Sequence, residues 1–202
     1  AASWAHFWDV KNFPGPRALQ DQAPFNLEFA LLADGVPMDK IYPIDVDRAF
    51  KKMDEIKDHI TVWWKNGAQQ IQLLTNAEVH YSSAWNSRVN VAQGKGVPLE
   101  IVWEGGCLDL DWWAIPKGNP NKDLAMKFIN FALSAERQGE QMQKYIAYGP
   151  TNLSAFQYIT AERAKELPSY PENLKKQFAH DADYWGPNLA PLTEQWKTWI
   201  IS

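Results

Sequence analysis

Apolar positions along this chain follow two alternating periods, helical and extended, and together they lay out an order of elements. The clearest stretch is Asp45–His59. There Val46, Ala49, Phe50, Met53 and Ile56 recur at helical spacing, and Asp45 and Asp47 stand where a helix dipole favours acids. This stripe predicts a structural helix packed on a sheet, remote from any ligand. Ser3–Asp9 reads as a capped helical turn with Trp4, Phe7 and Trp8 on one side, and Arg17-Ala18-Leu19 as a short strand after the Phe13–Pro16 turn. Asn26–Asp34 reads as a helix stopped by Gly35. Thr61–Trp64 and Val79–Trp85 read as strands on either side of a helix at Gly67–Ala77. Leu99–Trp103 and Trp112–Ile115 are short apolar runs that predict two more strands, the second closed by Pro116.

Past Asn121, Leu124, Phe128, Phe131 and Ala132 mark a helix, Ser134 opens another that ends near Ile146, and a third spans about 160–167. Residues 168–187 read as irregular. Leu189, Leu192, Trp196, Trp199 and Ile200 form the stripe of a terminal helix. Strands alternating with helices predict an α/β layered fold.

Composition narrows the function more than the fold. A net charge of −4 with no Lys/Arg-rich run argues against a nucleic-acid surface. No apolar run reaches the ~20 residues of a membrane span. One cysteine, Cys107, excludes a disulfide or a CxxC site within the chain, and His6, His59, His80 and His180 lack metal-binding spacing, so no metal and no cofactor are expected. Eleven Trp are the anomaly. Most are expected to pack in the core, with two or three lining a pocket, as indole faces do for cationic ligands. Trp63 and Trp64 adjoin on a strand, so only one of them can face such a pocket.

Catalytic constellations are sparse. GxSxG, GxxxxGK[ST] and GxGxxG are all missing from the sequence. Asp109 and Asp111 on a strand would share a face about 6.5–7 Å apart, a spacing open to acid–base chemistry. His80 and Ser83 would point to opposite faces and make no dyad.

The stretch AWNSRVNVAQGKGVPLEIVWEGGCLDLDWWAIPKGNPNKDLAMKFINFAL, Ala84–Leu133, reads as strand, turn, two strands and a long helix, with Trp, Asn and Asp at strand ends. With WAHFWDVKNFPGPRAL near the start, it resembles the bacterial extracellular solute-binding proteins, the capture subunits of ABC importers, and their spermidine/putrescine-binding branch in particular. The resemblance runs along nearly the whole chain. It implies a type II periplasmic binding fold, two α/β lobes hinged over a ligand, of which this chain would hold most of the second lobe. Residues 1–110 would be second-lobe α/β domain, 111–154 a returning first-lobe segment, and 155–202 a C-terminal segment packing back on the second lobe. The chain would then be a fragment without most of the first lobe, presenting an open half-cleft and binding ligand weakly, with the rest supplied by another chain or by the full-length protein.

The resemblance also implies site residues. A Trp-Asn pair at a strand end facing the cleft corresponds to Trp85-Asn86. The carboxylate that anchors a ligand amine corresponds to Asp111, and a cleft-lining Tyr to Tyr148 in YGPTN. The family's aromatic two positions before that carboxylate is Asp109 here. Positions that hold two further acids in polyamine binders carry Gln22 and Phe25, and a late Gln appears as Gly186. A diamine held at both ends therefore fits less well than a smaller cation or a zwitterion. Each residue keeps a second reading: Trp85 as packing at a strand end, Asp111 as a turn acid, Tyr148 as a ring over the adjacent proline. The resemblance thus implies a periplasmic protein that captures a small amine-containing solute for an ABC permease, without catalysis. An α/β enzyme acting on a small polar substrate, or the ligand-sensing domain of a regulator or receptor, are the alternatives.

Overall fold

The computed structural model describes residues 2–202. In chain order the elements are α1 (Trp4–Trp8), β1 (Arg17–Gln20), α2 (Asn26–Ala33), α3 (Val46–Lys57), β2 (Ile60–Trp64), α4 (Gly67–Thr75), β3 (Tyr81–Ser82), α5 (Asn86–Gly94), β4 (Gly106–Leu108), α6 (Lys122–Ala132), α7 (Ala135–Lys144), α8 (Ala161–Ala164), α9 (Pro171–Leu174), β5 (Gln177–Ala179) and α10 (Ala182–Ile201). Two 3₁₀ turns, Met38–Lys40 and Leu153–Tyr158, complete the order. The chain divides into two compact units, residues 1–107 with 176–202, and residues 108–175.

The first unit is an α/β lobe. β1 lies between β2 and β3, and both pairings are parallel. The chain therefore leaves β1 to one side and, by way of α4, returns to the other. β4 and β5 pair separately. The α3 stripe forms as expected: Asp45 caps the helix, and Ala49, Phe50, Met53 and Ile56 are buried. It joins one core with Leu19 and Ile60 of the sheet, Leu27 and Leu31 of α2, and Trp185, Leu192 and Trp196 of α10. Phe50 lies 5.8 Å from Trp199 and 6.4 Å from Trp196, ring centre to ring centre. Trp63 meets the same two indoles edge-on, whereas Trp64 turns to the opposite face and is buried with Ala18, Leu73 and Val79.

Two buried charges brace this lobe. The Arg17 guanidinium donates to the carbonyls of Phe7, Phe13 and Gly15, and so ties α1 and the turn after it to β1. Glu28, on α2, is 0% exposed. Its Oε1 accepts from the Tyr42 hydroxyl and from Trp185 Nε1, both at 2.7 Å, while Oε2 has no partner. Burial raises the Glu28 carboxyl above the ordinary carboxylate range, against the opposing pull of those two donors. Burial and the neighbouring Glu28 charge push the Tyr42 hydroxyl up as well.

The second unit is helical. Its core is small: Met142, Ala147, Ile159, Ala164 and Leu167. Gln138 links α7 to the following turn, donating to Thr151 Oγ1 and accepting from the Asn152 amide. The predicted α6 stripe forms, but Leu124, Phe128 and Phe131 are exposed, and α6 buries none of its residues.

Several expectations are corrected. Leu99–Trp103 and Trp112–Ile115 are not strands. An isolated extended run leaves its amides and carbonyls to water unless a neighbour pairs them, and neither run has a ladder partner among the described residues. The strand expected over 79–85 shrinks to Tyr81–Ser82, and Trp85-Asn86 starts a helix instead of ending a strand. The irregular stretch 168–187 contains α9, β5 and the first turns of α10, which continues through Pro187 and Pro191.

Candidate functional site

In an open parallel sheet, ligands gather outside the carboxyl ends of the strands, where the chain reverses its direction of travel across the sheet. In the first unit those ends are Gln20–Phe25 after β1, Lys65-Asn66 after β2 and Ser83–Asn86 after β3. They are closely tied. The Gln20 amide donates to Ser83 Oγ at 3.2 Å, the Asp21 amide to the Trp64 carbonyl at 2.9 Å, and the Asn26 side-chain amide to the carbonyls of Gln20 and Gln22. Ser83 is thus part of the strand-end bonding.

Two helices start here, and their N-termini differ. Asn66 caps α4 by accepting from the amides of Ala68 and Gln69, and Gln69 in turn accepts from the Lys65 amide. α5 begins at Trp85 with no side-chain cap, and its first turn carries no acid. That turn carries Arg88 instead. A cation there opposes the helix dipole, and among the described residues no carboxylate pairs with this guanidinium. Trp85 beside it is 44% exposed and stands edge-on to buried Trp64 at 5.7 Å. Its amide donates to Gln70 Oε1 at 3.0 Å, while buried Gln70 Nε2 has no partner. An uncapped helix start, a guanidinium without a carboxylate partner and an indole face are groups to which an anion is drawn.

The predicted site residues divide between the units. Trp85 and Asn86 belong to the surface just described. Asp109, Asp111 and Tyr148 belong to the second unit, all exposed and all in irregular backbone. The Asp109 carboxylate accepts from the amide of Leu110. Because 109–111 is not a strand, the shared-face argument for an Asp109/Asp111 acid–base pair no longer applies. Gly149, next to Tyr148, lies against Ser169 so closely that a Cβ there would fall 2.6 Å from its hydroxyl. Arg88 was missed by sequence reasoning, since its signal depends on recognising a helix at 86–94. No group of His, Cys, Asp and Glu that could hold a metal forms among the described residues. A depression of about 470 Å³ lies elsewhere on the first unit, lined by His6, Phe13, Glu100, Trp103 and Lys176, and none of the predicted site residues borders it.

A parallel α/β lobe with two helix starts gathered at its strand ends has the architecture in which small ligands are commonly received. The chain belongs to the bacterial extracellular solute-binding protein family, whose model matches residues 1–175. It is 41% identical over 98% of its length to the gamma-aminobutyric acid-binding protein of Pseudomonas aeruginosa, spanning 57% of that relative. It is 28% identical to the spermidine/putrescine-binding periplasmic protein of Escherichia coli, with 84% of this chain and 48% of the relative covered. Among solved structures, an ABC transporter substrate-binding protein from Bradyrhizobium japonicum superposes with a TM-score of 0.89 at 43% identity, covering 98% of this chain and 63% of that one. The chain therefore has the α/β fold of part of a periplasmic substrate-binding protein, and it spans less than two thirds of these relatives. No helix among the described residues is long and apolar enough to cross a membrane.

Proposed function

We propose that this chain carries the ligand-gripping surface of a non-catalytic periplasmic solute-binding protein that delivers a small amine-containing solute to an ABC importer. The solute is a zwitterion with a carboxylate, an amino acid of the gamma-aminobutyric acid (GABA) type, rather than a diamine. The observation that carries this reading is Arg88 on the uncapped first turn of α5, beside Trp85. A carboxylate there would gain a charge-assisted bond of about 1.5–3 kcal/mol. A diamine would bring a like charge to the same place. The substitutions Gln22 and Phe25, where polyamine binders carry acids, support the same choice, as does the higher identity to the GABA-binding relative.

On the second unit, taken by itself, Asp111 is the acid that the resemblance proposes for an ammonium group, with Tyr148 and Asp109 as further candidates. The lobe assignment is also a proposal: the first unit corresponds to the family's second lobe, and the second unit contains the returning segment 111–154. Calorimetric titration with GABA tests the reading. Arg88→Ala should weaken binding about tenfold or more while the thermal melt holds. Unchanged affinity in that variant removes the carboxylate pole.

A further inference from the structure

We infer that Gly67 is a positioning residue of the ligand surface: the missing side chain at 67 is the seat on which the Trp85 indole and the Arg88 guanidinium lie. The inference rests on reading Trp85 and Arg88 as ligand groups. Gly67 is the first residue of α4 and is buried. It is not among the glycines with positive φ, so its dihedrals would admit any residue, and space is what its position requires. A Cβ at 67 would fall 2.5 Å and 2.6 Å from Cζ3 and Cε3 of Trp85 and 3.2 Å from Nε of Arg88. Carbon atoms do not approach that closely, so a single methyl must displace the indole and crowd the guanidinium.

The indole can yield only by leaving its seat. Its backbone amide is held by Gln70 Oε1, one turn along α4 from Gly67, and its ring edge rests on buried Trp64, so the half-exposed ring would have to swing out toward solvent, away from Trp64. α4 therefore supports both candidate ligand groups from beneath, Gly67 under the two side chains and Gln70 at the Trp85 amide. The geometry sets the spacing between an aromatic face and a cation on α5, and that spacing determines which carboxylate fits.

The test is a double-mutant cycle read by GABA titration and by near-ultraviolet circular dichroism, which reports the Trp64–Trp85 pair. Gly67→Ala should alter the dichroism and lower GABA affinity about tenfold or more, although Ala is the better helix former. In a Trp85→Ala background the same change should cost less than about twofold, because the two closest approaches are gone and the flexible Arg88 side chain at 3.2 Å can shift into the space left by the indole. Gly67→Ala with wild-type affinity, or with an equal loss in both backgrounds, overturns the inference. If Gly67→Ala fails to fold, rescue of its melt by Trp85→Ala supports the seat, and failure of that rescue overturns it. Wild-type protein that takes no GABA, or wild-type affinity in both Trp85→Ala and Arg88→Ala, overturns the reading beneath the inference instead.

Discussion

Glu28 offers the sharpest perturbation of the first unit. Its single oxygen Oε1 receives both Tyr42 and Trp185, so one carboxyl joins α2, the loop before α3 and the start of α10. Glu28→Ala strands the buried Trp185 donor at about 1–3 kcal/mol, while the half-buried Tyr42 hydroxyl can turn to water, and each kcal/mol lowers Tm by about 2–4 °C for a chain of this size. Glu28→Gln keeps the accepting oxygen and removes the charge. Because burial raises the folded-state pKa of Glu28 above its unfolded value, the native state holds its proton more tightly. Stability is therefore lost as pH rises from the ordinary Glu value through the raised one, and regained as pH falls. Glu28→Gln should flatten that part of the profile and match or exceed wild-type stability above it. Chemical denaturation at a series of pH values reads both variants. A Gln variant with the wild-type pH slope, or an Ala variant of wild-type stability, would refute the role given to this carboxyl.

Two other outcomes follow from the packing and the site. Phe50→Ala should cost about 3–5 kcal/mol, since Phe50 is 7% exposed within the α3–α10 aromatic cluster; an unchanged melting temperature would contradict that burial. Asp111→Asn, at an exposed position, should leave the melt intact and weaken GABA binding about tenfold or more if Asp111 holds the ammonium; intact affinity in calorimetry would remove it from the site.

What could be read from the sequence depended on how strongly each face was marked. The α3 stripe is large, apolar and capped by Asp45, and it appears where its spacing placed it. α5 escaped notice because it buries only Ser87, Val89 and Ala92, and such small side chains leave no apolar stripe. The runs 99–103 and 112–115 have strand composition, but a strand exists only with a partner, and composition does not supply one. Pro187 and Pro191 hid the early turns of α10. The α6 stripe was correctly placed in sequence yet remains exposed, as does Trp112 at 80%, in a chain that spans 57% of its GABA-binding relative. Resemblance singled out Trp85 and Asn86, while Arg88 carries meaning only as a cation on the wrong end of a helix, a conflict visible once α5 is recognised.

Calorimetric titration of the protein with GABA and, separately, with putrescine is the most direct test of the central claim. The two ligands share a four-carbon chain and an ammonium, and differ in whether the far end is a carboxylate or a second ammonium. An Arg88–α5 pole predicts that GABA binds more tightly by about tenfold or more, and that Arg88→Ala erases the difference. Tighter binding of putrescine, or a preference for GABA that survives loss of Arg88, would contradict it.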